Sequence, residues 1–198
     1  MTYQELKDLV LSKGYVFFDT GVYNLNFVWI RTSDSITNYF TDFLYVAYRI
    51  GAEEYVLKIP ATTKPGIKGS IDTPITYQGV TGTAIIVPGQ YRSAWKFIDS
   101  YEGFSHYPYF HQVKGINYWR DGDKDLLVDE VQLQLDQLFG THWHRMSQNG
   151  IKGYPINNWS LGCMGAEEPY FRQLLPIVRE AVKLYGPVFT GTIIAIYE

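Results

Sequence analysis

"DFLYVAYRI" (42–50) and "EYVLKIPAT" (54–62) decide the fold class. Both runs are built from β-branched and aromatic residues and are punctuated by Gly, Asp and Ser, the pattern of short strands. Outward from them the pattern repeats. "YNLNFVWIR" (23–31) precedes the pair, and "TGTAIIVPGQY" (81–91) follows as a strand ending in a Pro-Gly turn. "YFHQVKGINYWRDGDKD" (109–125) gives one or two strands entering an acidic turn. "FGTHWHRMS" (139–147) reads as a strand that opens into the Gly/Asn/Pro-rich loop "QNGIKGYPINN", and "PVFTGTIIAIYE" (187–198) as a last strand. Helical spacing is confined to the ends. "MTYQELKDLVLSKGY" forms a short amphipathic helix within a lead-in over 1–20. "EEPYFRQLLPIVREAVKLYG" (167–186) starts with acids, carries Lys near its end and stops at Gly186, with Pro176 expected to kink or shorten it. Residues 63–80 read as a surface excursion. Strands in runs with helices at the ends predict a mostly β or α+β chain, one domain over 1–198.

Composition narrows the function classes. Apolar residues at 46% and charged residues at 19% supply a sizeable core and argue against disorder. Aromatics reach 17%, which suits either strand-rich packing or a ring-lined groove for a polymer. A net charge of −3 without a basic stripe lacks the footprint of a nucleic-acid binder. No apolar run approaches the length of a membrane span, and the N-terminus lacks the uninterrupted apolar stretch of a signal peptide. The expectation is a chain made in the cytoplasm, with any later destination reached by another route. A single cysteine makes no internal disulfide.

That cysteine, Cys163, ends "SLGC" (160–163), and two of the four histidines stand upstream in "THWHRMS" (141–147). A thiolate nucleophile needs a base, electropositive surroundings and donors aimed at an oxyanion. Ser160-Leu161-Gly162-Cys163 offers a small-residue turn with backbone N–H groups beside the sulfur, and His142 and His144 share one strand face. Periodicity does not choose between the two histidines. On these residues alone Cys163 reads equally as a buried small side chain, the commonest fate of a lone cysteine. His106 and His111 have no spacing partner and read as structural. Asp121, Asp123, Asp125 and Asp129 space like a calcium loop, but Leu126 stands where the loop needs Gly and Gln132 where it needs Glu. A solvated hairpin turn is the expectation there, with no metal.

The pattern His, fifteen residues, Ser-x-Gly-Cys resembles the signature of the L,D-transpeptidase catalytic domain, the YkuD family. His144 leaves fifteen residues before Ser160 and His142 seventeen, so both fit. The ordered set "YNLN" (23–26), "ATTKPG" (61–66), "PGQY" (88–91), "RDGDKD" (120–125), "HR" (144–145) and "WSLGC" (159–163) is similar to a phage or prophage branch of that family. The resemblance implies a single YkuD-like β-sandwich with a short N-terminal helix and a C-terminal helix before the last strand.

It also implies acyl transfer on a peptidoglycan stem peptide, without a cofactor. Cys163 attacks the carbonyl, His144 takes the thiol proton, and backbone N–H groups at Gly162 and Cys163 hold the oxyanion, at about 3 kcal/mol per donor. His142, Arg145 and Ser160 support, with a backbone carbonyl near Arg145 orienting the base; Tyr91 and Trp159 border the groove. Leu161 replaces the family's histidine, and Gly165 replaces a polar residue just past the nucleophile. Both changes favour hydrolysis over transpeptidation. A holin or a virion would deliver the product to the cell wall. The competing reading is the same fold with a decayed site, a wall- or glycan-binding module of a phage virion.

Overall fold

A computed structural model describes all residues except 37, 68–75, 78, 102–105, 149, 151, 154 and 198. The expected excursion 63–80 and the loop 148–158 therefore lie in part outside the described residues. Strand β1 (Asn26–Arg31) is buried along its whole length. Its alternate side chains enter two different cores: Phe27 and Trp29 face one, Val28 and Ile30 the other. A strand covered on both faces needs the near-continuous apolar run that "NFVWI" supplies.

Around β1 the main sheet closes into an eight-stranded barrel. β1 pairs antiparallel with β2 (Asp42–Ile50), and β2 forms a hairpin with β3 (Glu53–Thr62) that runs in register from Asp42↔Ala61 to Ile50↔Glu53. On its other side β1 pairs parallel with β13 (Val188–Ala195), which passes antiparallel to β7 (Gly89–Ile98) and thence to β8 (Tyr109–Gln112). β8 meets β11 (Trp143–Arg145), β11 lies parallel to β12 (Met164–Ala166), and β12 returns to β3. Beside the barrel, β6 (Thr83–Ile86), β9 (Ile116–Asp121) and β10 (Gln134–Gln137) make a three-stranded sheet, and β4 (Thr76–Tyr77) pairs with β5 (Val80–Thr81).

The barrel is filled by rings. Trp95 and Trp143 lie 4.5 Å apart between centroids, with Phe110 at 4.9 Å from Trp143 and Phe27 at 5.4 Å. Much of the aromatic content is thus spent on the interior of a barrel whose size calls for side chains as filling. Helix α1 (Tyr3–Ser12) packs Tyr3, Leu6 and Val10 on the outer face of β1 and β2. Thr2 accepts the Glu5 N–H and the Glu5 carboxylate accepts the Thr2 N–H, closing its first turn. Helix α2 (Glu168–Tyr185) joins the barrel core through Phe171, Leu174, Leu175, Val178 and Ala181, a 3.6-residue stripe.

The mostly β class, with a helix near each end of the chain, is as the sequence predicts. In place of the two-layer sandwich that the resemblance implies, the main sheet closes into a barrel, and no local pattern encodes that closure. "TGTAIIVPGQY" divides between β5, β6 and the start of β7, which runs on to Ile98. Strands β10 and β12 have too few residues to show a period. Pro176 does not shorten α2: the helix continues for nine residues beyond it, because the ring sits on the exposed face while the apolar stripe holds both halves to the core.

Candidate functional site

The parallel pairing of β11 and β12 sets the strand that carries His142 and His144 beside the strand that follows Cys163. Its register is Trp143↔Met164, His144↔Gly165 and Arg145↔Ala166. The Met164 N–H donates to His142 O at 2.9 Å, extending the ladder one residue back and setting Cys163 beside His142. Trp143 and Met164 point into the barrel core. Alternation therefore puts His142, His144 and Cys163 on the other face. Gly165 is the register partner of His144, and a Cβ there would lie 2.0 Å from His144 O. Close strand approach, rather than the loss of a polar group, accounts for glycine at this position.

The sulfur is held by backbone. Cys163 Sγ accepts the His142 N–H at 3.4 Å and faces Gly140 O at 4.0 Å. Burial pushes the thiol up to about 11, and the His142 N–H opposes that rise. The loop before Cys163 is organised by Ser160, whose buried hydroxyl donates to Cys163 O at 2.7 Å and accepts the Gly162 N–H at 3.2 Å. Gly162 adopts φ +132° with no room for a Cβ, which would meet Ala84 O at 2.7 Å. The Gly162 N–H, expected to face an oxyanion, is thus committed to Ser160, and the backbone donor aimed at the sulfur is that of His142. The loop rests on segment 63–66: Gly66 N–H donates to Ser160 O at 3.0 Å.

The two imidazoles differ in tautomer. His142 Nδ1 accepts the backbone N–H of Gln112 at 3.2 Å, so its neutral ring carries the proton on Nε2. His144 Nδ1 lies 2.6 Å from Arg145 O. A carbonyl only accepts, so this ring holds its proton on Nδ1 and keeps its lone pair on Nε2. Burial lowers both rings to about 4, with His111 and His144 adding to the effect on His142, while the Arg145 carbonyl partly offsets it for His144. At neutral pH the thiol and both imidazoles are uncharged. A lone pair belongs to the side-chain nitrogen of His144, and a donor N–H to that of His142.

Arg145 supplies its carbonyl to His144 and lays its guanidinium over the Tyr107 ring at 4.5 Å. Tyr91 packs edge-on against Trp95 and donates its hydroxyl to Val87 O at 2.7 Å, a contact turned inward. Trp159 is half-buried in the turn before Ser160, and Leu161 beside it is 37% exposed, an apolar side chain at the rim of the site.

Several neighbours escape sequence reasoning. His111, read there as structural, stacks on His142 at 4.7 Å, and Tyr109 meets the same ring edge-on at 5.4 Å. Gln112 accepts the N–H groups of both Gly140 and Thr141. "YFHQ" carried the residues, but only the register of β8 against β11 aligns them with position 142.

Among the described residues, carboxylates of Asp121, Asp123 and Asp129 approach within 4.8 Å of one another. Asp125 is not among them; it accepts the Leu127 N–H at 2.7 Å. Asp121 is buried rather than solvated, and burial followed by its acidic neighbours raises it to about 6. Burial and mutual repulsion account for the raised carboxyl, and neither identifies a ligand. Neither a family model nor a curated protein nor a solved structure matches the chain.

Proposed function

We propose that the chain is a cysteine-dependent acyl-transfer enzyme of the YkuD-like, phage-associated type, hydrolysing peptidoglycan stem peptides. The observation that carries the reading is the pairing of β11 with β12, with His144 fixed by Arg145 O on the face that Cys163 occupies. The family assignment in this proposal is drawn from the ordered motifs of the sequence alone. Among the described residues no helix is long and apolar enough to cross a membrane; delivery to the wall by a holin or a virion is part of the proposal.

The resting pair is neutral, so the proton moves as the bond forms. Cys163 Sγ attacks the carbonyl carbon of the stem peptide while His144 Nε2 takes the thiol proton. The His142 N–H, released from the sulfur as the S–C bond forms, is positioned to donate to the carbonyl oxygen. His144 then returns the proton to the leaving amine as the C–N bond breaks. Water, deprotonated by the same nitrogen, cleaves the thioester and restores the thiol. Leu161 presents no hydrogen-bonding group to orient an incoming amine, which leaves water as the acceptor.

Digestion of purified sacculi read by mass spectrometry tests this. Wild type should release trimmed stem peptides with few cross-linked dimers, and Cys163→Ala should release none. His144→Ala should lose at least about a hundredfold, the usual worth of a general base, and His142→Ala much less. Alkylation with iodoacetamide should titrate above the ~8.5 of a free cysteine, as a buried neutral thiol requires. Undiminished release by Cys163→Ala would sink the proposal. Binding to sacculi without release by wild type would assign the binding-module reading instead.

A further inference from the structure

Gln112 is the last residue of β8 and is 3% exposed. Its side chain makes five hydrogen bonds. Oε1 accepts the N–H groups of Gly140 and Thr141, each at 2.9 Å, and the Tyr118 hydroxyl at 3.0 Å. Nε2 donates to Lys114 O and Gln137 O, each at 2.8 Å. Three donors on one side and two carbonyls on the other admit only one orientation of the amide. The backbone N–H of the same residue donates to His142 Nδ1. One residue therefore grips Gly140, Thr141 and the His142 ring in succession. These three residues meet the sulfur through the Gly140 carbonyl and the His142 N–H. From the barrel interior the Trp95 indole N–H donates to Thr141 O at 2.8 Å, so the segment is held from both sides.

We infer that Gln112 is a positioning residue for Cys163, acting through segment 140–142 to keep the His142 N–H on the sulfur. The inference rests on the acyl-transfer reading for its effect on activity, but not for its effect on the thiol. A backbone donor stabilises the thiolate, and a donor that drifts by an ångström loses most of that effect. No other side chain described here reaches Gly140 and Thr141 N–H together. Tyr118 shares the Gln112 amide and its hydroxyl also neighbours the Thr141 side chain, but it reaches neither the Gly140 nor the Thr141 N–H. The pair Gln112 and Tyr118 thus separates positioning from packing.

Gln112→Met fills a similar volume and removes all five side-chain bonds; Tyr118→Phe removes one and leaves those to Gly140 and Thr141. Both should unfold at lower temperature than wild type. Only Gln112→Met should slow alkylation of Cys163, by about tenfold at pH 9, as a rise of about one unit in the thiol titration requires. On sacculi it should lower kcat with little change in KM. Should Gln112→Met fail to fold, Gln112→Asn, which withdraws the amide by one methylene, must slow alkylation in the same direction. Unchanged or faster alkylation in the folded Gln112 variant overturns the inference. So does equal slowing in Tyr118→Phe, because general loosening would then suffice. Failure of the acyl-transfer reading is distinct: it appears as release by Cys163→Ala, and leaves the alkylation result standing.

Discussion

At the end of the barrel where β2 begins, Arg31, Asp42, Thr63 and Lys64 are all buried. Lys64 Nζ pairs with Asp42 at 3.2 Å and donates to Ser33 O at 3.0 Å. Asp42 Oδ2 accepts the Thr63 N–H at 2.9 Å and hydroxyl at 2.7 Å, and Arg31 Nε donates to that hydroxyl at 2.9 Å. At the opposite end, Arg179–Asp99 and Lys183–Glu180 border an open cleft of about 660 Å³ lined by Tyr23, Tyr48 and Phe97, and both pairs lie in solvent. Desolvating charge is expensive, and near Cys163 the fold bears that cost repeatedly. There the buried pair fixes segment 63–66, on which the Ser160 loop rests. At the far end the ion pairs hold nothing behind them. The difference teaches where rigidity is concentrated: under the nucleophile loop, not around the roomier cleft.

Asp42→Ala tests this contrast most severely. It leaves the buried Lys64 without its carboxylate and Thr63 without its acceptor, and should cost about 3–5 kcal/mol in urea unfolding, with faster digestion of the 157–163 loop. A loss no larger than that of a surface pair would erase the distinction between the ends.

Acid should act through the Cys163 end as well. His142 and His144 are held neutral at about 4, against an ordinary value of 6.5. Between these values the unfolded chain binds more protons than the folded one, so stability is full above pH 6.5 and falls as pH drops toward 4. Each ring contributes roughly 3 kcal/mol. Asp121, raised from 3.8 to about 6, has the opposite sign: it favours the folded state as pH falls through that range. The net loss should be about 3–4 kcal/mol, and His144→Gln should flatten the slope of stability against pH between 4 and 6.5. A slope that survives both histidine substitutions would trace acid sensitivity to other groups.

Arg179→Ala, at the opposite end, should change stability by no more than about 1 kcal/mol, despite two 2.8 Å hydrogen bonds to Asp99. Any larger effect, measured in the same urea titration, would show that this end is braced too.

Much of this architecture was legible locally. "DFLYVAYRI" coincides with β2, and "EYVLKIPAT" falls within β3, because alternation and β-branching act within a strand. The stripe from Phe171 to Ala181 marked α2, although Pro176 misled about its length, since a ring on the exposed face disturbs no packed contact. Cys163 and the two histidines were visible as residue types at a spacing. Gln112 was not, because a glutamine two residues past Tyr-Phe carries no local sign of what its amide will meet.

By itself the sequence determined the strand-rich class, the helical ends and the presence of a thiol downstream of two imidazoles. Those features depend on neighbours within one turn or one pleat, where periodicity states which face each side chain takes. Only the tertiary structure decided that the sheet closes, that Gly165 answers to the His144 carbonyl and that the two imidazoles hold opposite tautomers. The last distinction turns on one atom apiece: a Gln112 N–H thirty positions before His142, and the carbonyl of the next residue, Arg145, for His144. The first arises from register between strands distant in the chain, and register is set by how the whole core packs.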